Sequence, residues 1–164
     1  MTQSKQQILR IGMEWPEQGG ILAGMMRGEN GAPDYFLILP TDPKAYNPGL
    51  AWGDYEKDEP GAKHEHDGQA NTAALVESKI EHPAAEWAAG LQIGGFKDFY
   101  LPSRRELRML WCTVADQFEP GWYWSSTQFS AYYAWFQVFD GGYQTSTGKD
   151  FQSRVRAVRR FIIE

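Results

Sequence analysis

Four groups of side chains have types and spacings that bear on chemistry. His64-Glu65-His66-Asp67 puts two imidazoles and two carboxylates within four residues, the donor types that hold a divalent metal. An i, i+2 spacing in a loop is a weak site pattern, however, so a solvated polar loop is the better reading and no metal is expected. Ser125-Ser126-Thr127 offers hydroxyls, but a serine nucleophile needs a base. The only histidines are His64, His66 and His82, all in the acidic half. These hydroxyls are expected to bond to nearby backbone, and His82 reads as the entry to a helix at Pro83. Arg154, Arg156, Arg159 and Arg160 are suited to an anion or a nucleic-acid backbone. Asp98, Glu106 and Asp150 make structural ion pairs the better reading.

The fourth group is aromatic. Between Trp122 and Tyr143, ten of 22 residues carry rings. Successive strand residues point to opposite faces, so one set of rings fills a core and the other is exposed or covered by loops. Any single ring is more often core. As a set they point to an exposed patch, because Trp and Tyr give large contact area at small entropic cost. Tyr132, Tyr133, Trp135 and Tyr143, with Gln144, are the candidate ligand-binding residues. No catalytic residue and no cofactor is expected.

Composition narrows the classes. The 164 residues carry 16 basic and 21 acidic side chains, net −5, so a basic nucleic-acid binder is not indicated. Cys112 is the only cysteine, which excludes an intrachain disulfide and any site needing two Cys ligands. Met1 to Arg10 lacks an apolar core for an export signal, and no run approaches a membrane span. Neither export nor membrane insertion is expected. Residues 41–90 carry ten acidic and four basic side chains, whereas residues 97–164 carry seven and nine. An acidic middle therefore precedes a mildly basic end.

The elements that must position these groups follow from period and punctuation. Leu9, Ile11 and Met13 alternate with polar residues or glycine, and Ile21–Met26 and Tyr35–Leu39 are apolar runs separated by turn formers. These predict a hairpin or a three-stranded meander. Residues 41–70, rich in Pro, Gly and acid, predict a long irregular loop. Asn71 is the expected cap of a helix running to Glu77, and Pro83 and Gly90 bound a second helix. Ser103-Arg104-Arg105-Glu106 is a capping box, followed by Leu107, Leu110, Trp111 and Val114 on one face. Strands are predicted at Trp122–Thr127, Tyr132–Phe139 and Tyr143–Thr147, the last two joined at Asp140-Gly141-Gly142. A final strand, Arg154–Ile163, carries a bulge near Val158. The order of strands, helices and strands predicts an α+β fold with an antiparallel sheet.

Two segments carry a resemblance. One is Gly95-Phe96-Lys97-Asp98-Phe99-Tyr100-Leu101-Pro102-Ser103-Arg104-Arg105-Glu106-Leu107. The other runs from Trp122-Tyr123-Trp124-Ser125-Ser126-Thr127 through Tyr133-Ala134-Trp135-Phe136 to Arg154-Val155-Arg156-Ala157-Val158-Arg159-Arg160. Over roughly residues 70–164 the chain resembles the Lcl C-terminal domain family, a domain of unknown function, in the short form encoded by phages and prophages. The stretch Gly19–Leu39 also resembles that form. The resemblance implies a C-type-lectin-like fold: an antiparallel sheet, two or three helices and long loops, preceded by N-terminal β-strands. It implies residues 1–69 as N-terminal strands and acidic loop packed on a domain at 70–164. Calcium-lectin tripeptides are absent, and the oxidase relatives' cysteine pair is absent too.

The expected function is non-enzymatic recognition by a phage-encoded protein. The ligand would be a carbohydrate or cell-surface molecule met by the aromatic surface. The alternative is an intracellular inhibitor or modulator of a host protein. The expected location is the cytoplasm of the producing cell or the virion; self-association as a homo-oligomer is open, a trimer favouring the virion and a monomer with one aromatic patch the inhibitor.

Overall fold

The computed structural model describes residues 8–164. Most of the segment read for an export signal, residues 1–7, lies outside the described range. The fold is α+β, with three α-helices and two sheets, built mainly from antiparallel pairs, among the described residues. The first sheet has the order β1 (Glu14–Trp15), β2 (Gly20–Met26), β3 (Tyr35–Pro40), β9 (Arg159–Ile162). The second has the order β4 (Tyr46–Ala51), β8 (Gln152–Arg156), β5 (Trp122–Gln128), β6 (Tyr133–Val138), β7 (Gln144–Gly148). The helices are α1 (Gly68–Glu77), α2 (Pro83–Ala89) and α3 (Arg104–Val114). Among the described residues no helix is long and apolar enough to cross a membrane.

Three backbone segments take a course other than the one the sequence predicts. Residues 9–13 form no strand: Gly12 turns the chain at φ 86°, and Leu9, Ile11 and Met13 stay exposed. The loop expected over 41–70 contains β4, which pairs with β8 despite Pro48 and Gly49. A register shift between Asn47 and Leu50 takes up the interruption. The final strand does not merely bulge. It ends at Arg156 and resumes at Arg159 in the other sheet. At the crossing, the Ala157 amide donates to the Ala45 carbonyl and the Val158 amide to the Tyr100 carbonyl. Ala157 and Val158 thus enter two different cores, and the strand that follows them pairs with β3 rather than β4. Through β3–β9 and β4–β8, both sheets join residues from either side of position 70.

The second sheet is the middle layer. On one face Tyr123 packs with Phe118, Phe139, Leu107, Leu110 and the first sheet. On the other, Trp124, Phe136 and Val155 pack with Trp52, Leu75 and the alanines of α2. Helix α3 crosses the first face. Its capping box forms as read, Ser103 Oγ accepting the Glu106 amide while Glu106 Oε1 accepts the Ser103 amide. The same Oε1 accepts the Gly68 amide at the start of α1. Gly68 must be glycine there, because a Cβ would lie 2.5 Å from Glu106 Oε1 and from the Ser103 nitrogen. Asp67, not Asn71, caps α1, accepting the Ala70 amide. Asn71 lies inside that helix and holds the His64 backbone at both its amide and its carbonyl.

Candidate functional site

The β6–β7 ribbon carries the expected site residues but divides them. Tyr133 and Trp135 lie on one face of β6, opposite Gly148 and Ser146 of β7. Further along that face Gln137 is buried beside Gln144. The division is set by α3. Its N-terminal turn reaches the ribbon at Trp135, so the face is covered towards Gln137 and open towards Tyr133.

At the covered limit, the Arg104 guanidinium lies 3.6 Å from the Trp135 ring centroid. This is a cation–π contact on a ring that Phe129 meets edge-on at 5.0 Å. Gln144 fixes the arginine at both ends. Its Oε1 accepts from Arg104 Nε at 3.1 Å and its Nε2 donates to the Arg104 carbonyl. Glu65 pairs with Arg104 Nη1 at 3.3 Å. Burial pulls the Arg104 guanidinium below its usual range, against the opposing effect of Glu65. Trp135 and Gln144 therefore frame the surface, while Phe129 and the tyrosines form it.

At the open end Tyr132, Tyr133 and Tyr55 stand together. The Tyr55 ring meets Tyr132 at 5.1 Å with an angle of 62° between the planes, and Tyr133 at 6.4 Å. Tyr55 also passes over Gly148, where a side chain would touch its ring. The Tyr55 hydroxyl is pushed up, by partial burial first and then by the adjacent Tyr133. Exposure is 45% for Tyr55, 53% for Phe129, 44% for Tyr132 and 40% for Tyr133. Four large rings are left in solvent along one strip. Tyr143 is exposed as well, but at the other end of the ribbon, about 17 Å along β6 from Tyr133.

Neither Tyr55 nor Phe129 is among the ligand-binding candidates of the sequence, although Phe129 is one of the ten rings between Trp122 and Tyr143. Tyr55 is a lone ring in an acidic loop, and nothing local connects it to position 133. The connection runs through buried Lys149. Its carbonyl accepts the amides of Trp52 and Gly53. Its ammonium donates to the Lys57 carbonyl and to Gln128 Oε1. Gln128 in turn accepts the Glu59 amide and donates to Asp58. Trp52 is fully buried, with its indole NH on the Ser125 carbonyl. Burial pushes the Lys149 ammonium down to about 8, against Glu59 and Asp58, which raise it. The loop is thus latched at 52–59 and presents Tyr55 between its anchors.

Most of the remaining groups are engaged structurally, but among the described residues Arg154 and Asp150, expected in ion pairs, make none, and Arg154 Nε is buried without a partner. Ser125 is buried and donates to the Trp135 carbonyl at 2.7 Å. Thr127 donates to the His64 carbonyl. Arg159 pairs with Asp98 at 2.6 Å, and Arg160 with Asp67 at 3.1 Å and buried Glu106 at 3.8 Å. Arg156 donates to the carbonyls of Gln117 and Pro40. The run 64–67 spreads apart. Glu65 faces Arg104 and Arg105, His66 faces Glu29, and Asp67 caps α1. Among the described residues no three His, Cys, Asp or Glu side chains converge as a metal site. Neither a family model nor a curated protein matches the chain.

Proposed function

We propose that this chain is a non-catalytic recognition protein whose ligand docks on the strip formed by Tyr55, Phe129, Tyr132 and Tyr133. The observation that carries the reading is that four exposed rings stand on a frame whose polar groups are locked beneath them. Rings held by buried anchors give contact area with little ordering left to do on binding. The middle sheet with α1 and α2 on one face and a crossing strand at its end supports a C-type-lectin-like fold. That agrees with the resemblance to the phage-type Lcl C-terminal domains. On this reading the protein is phage-encoded and works in the virion or the host cytoplasm, on a carbohydrate or cell-surface ligand.

A second reading, a host protein as the partner, is favoured by the rim of the strip. β7 is the last strand of its sheet. Its sequence Gln-Thr-Ser-Thr-Gly has no charge and no proline, the usual guards of a free edge. An extended segment of a partner protein can pair there while its side chains reach the tyrosines.

One experiment tests both readings. Wild type and Tyr132→Ala/Tyr133→Ala are applied to a glycan array and to immobilised-bait capture from host lysate, with melting curves alongside. A glycan signal lost in the double variant, with the melting temperature held within about 3 °C, supports the first reading. A captured protein lost in the double variant and in Ser146→Pro supports the second. Retention of every ligand by the double variant overturns the strip as the binding surface.

A further inference from the structure

The aromatic strip and the free edge of β7 meet at Gly148, and the geometry there selects a partner. Bonding alternates inward and outward along an antiparallel pair. The Lys149 amide bonds inward to the Tyr132 carbonyl, so Ser146 and Gly148 turn their backbone groups away from β6. The Gly148 carbonyl is already used, accepting the Phe151 amide at 3.0 Å. At Ser146 the outward amide and carbonyl have no backbone partner among the described residues. An incoming strand therefore pairs with Ser146 and stops at the turn over 148–151. Residues directly opposite in a sheet share a face. The partner residue facing Ser146 thus projects on the face of Trp135 and Tyr133.

What that side chain meets is set by Gly148. A diagonal neighbour lies about 7–8 Å away, within reach of a long side chain. Gly148 has none of its own, and Tyr55 and Asp150 stand over it instead. A Cβ there would lie 3.8 Å from two carbons of the Tyr55 ring and 2.9 Å from Asp150 Oδ1. A ring and a carboxylate thus flank one spot at the open end of the strip. Asp150 is exposed, with no ion pair among the described residues. Asp54 and Glu56, on either side of Tyr55, are exposed and free of ion pairs in the same sense. Asp58 is spent on Lys63 and Gln128, and Glu59 on His82. Against these three free carboxylates stands exposed Lys57. The Lys149 ammonium is buried and turned to the Lys57 carbonyl and Gln128. At the far end of the strip Arg104 is already paired with Glu65. The Tyr55 end is left acidic.

We infer that the partner is a protein presenting a lysine or arginine in an extended segment paired with Ser146, and that this side chain packs on the Tyr55 ring with its charge at Asp150. The inference deepens the reading of a protein partner at the β7 edge and rests on it. A cation on a tyrosine face gains from the negative face of the ring, and the surrounding carboxylates add attraction. The long aliphatic stem covers apolar ring surface while the charged head stays in water. An acidic residue at the same place would be repelled, which gives the edge selectivity that backbone pairing alone lacks. An uncharged sugar makes no use of the three carboxylates.

Peptides of the form acetyl-Val-Thr-Xaa-Thr-Val-amide, with Arg, Lys, Gln or Glu at Xaa, test the assignment. They are titrated into isotope-labelled protein while the amide resonances of Ser146 and Gly148 are followed by NMR. The proteins are wild type, Asp150→Asn, Tyr55→Leu and Glu17→Gln, the last removing the same charge from an exposed site beside β1. Wild type should bind the Arg and Lys peptides about tenfold more tightly than the Gln peptide, and the Glu peptide more weakly still. Asp150→Asn and Tyr55→Leu should each cut that preference about threefold. Glu17→Gln should leave it unchanged. The melting temperature of Asp150→Asn should hold within about 3 °C, so it carries the test if Tyr55→Leu loosens the loop. Equal binding of the Arg and Gln peptides, a preference kept in Asp150→Asn, one lost equally in Glu17→Gln, or no binding of any peptide overturns the inference. The strip is judged separately, by Tyr132→Ala/Tyr133→Ala in the glycan array and lysate capture. A ligand lost there, with no preference for the basic peptides, keeps the strip and removes the cation.

Discussion

The junction around Glu106 and the strip around Tyr133 treat their side chains in opposite ways. At the junction a carboxylate is fully buried and completely used. Oε1 accepts the amides of Gly68 and Ser103, and Oε2 accepts the Tyr100 hydroxyl with Arg160 close by. Along the strip, rings with large apolar area are left in water. A protein filling its core by hydrophobicity alone would reverse both choices. The difference teaches that rigidity and recognition are assigned to different regions. Buried polar bonds fix how α1, α3 and β9 meet, and the apolar surface saved by that economy remains free for a ligand.

The largest expected effect is at the junction. Glu106→Ala removes acceptors from two helix starts and from a buried hydroxyl, and takes a carboxylate away from Arg160. The loss should be about 3–5 kcal/mol, read as a shift in the urea midpoint with unchanged slope. Tyr133→Ala should stay within about 0.5 kcal/mol. If the two variants lost comparable stability, the strip would be part of the core and the contrast would fail.

Glu106 also marks how far the sequence can be read. Ser103 and Glu106 are three residues apart, so the capping box was legible, and both reciprocal bonds are present. The same carboxylate also reaches Gly68 and Tyr100, contacts made by chain topology and carried by no spacing. The aromatic richness was legible too, but not its partition. Which rings are exposed depends on where α3 crosses β6, a tertiary fact. Phe129, one of the ten rings, is not singled out by the sequence for that reason, Tyr55 is tied to the strip only through distant Lys149, and Trp135 and Gln144 are held by Arg104, a residue that in sequence belongs to the cap. The acidic stretch looked like irregular loop because Pro48 and Gly49 mask β4, and its anchor, Lys149, is some ninety residues away in the chain.

A smaller effect concerns the latch that carries Tyr55. Burial holds the folded Lys149 at about 8, below the value of 10.5 in an open chain. Below about pH 8 both states bind the proton, and the buried charge costs stability. Between about 8 and 10.5 the unfolded chain binds a proton that the folded one does not, so stability rises with pH. Above about pH 10 the trend reverses, because burial raises the hydroxyls of Tyr100 and Tyr35 and the folded state keeps protons that the unfolded chain loses. From pH 7.5 to 9.5 wild type should gain up to about 2 kcal/mol, and Lys149→Met should remove that gain. Urea titrations at the two pH values measure it. A flat wild-type profile would mean that Lys149 is solvated and the loop unlatched, so that Tyr55 is not held against Tyr133.

The smallest effect separates the strip's rim from the ladder behind it. The Val138 amide donates to the Tyr143 carbonyl, and the Lys149 amide to the Tyr132 carbonyl. Inward bonding alternates along an antiparallel pair, so Thr145 and Thr147 bond towards β6 while Gln144, Ser146 and Gly148 turn their backbone groups outward. Proline at Thr145 would remove a ladder bond and leave its partner unpaired, at a cost of about 1–3 kcal/mol. Proline at Ser146 removes only an amide facing solvent and should cost under about 1 kcal/mol. Thermal melts of the two variants decide the matter, since the positions are adjacent and equally exposed to any general intolerance of proline. Equal losses would mean that the outer edge of β7 is already covered by the chain. With a small loss at Ser146, that edge is open, and an unguarded row of backbone donors and acceptors lies next to the rings.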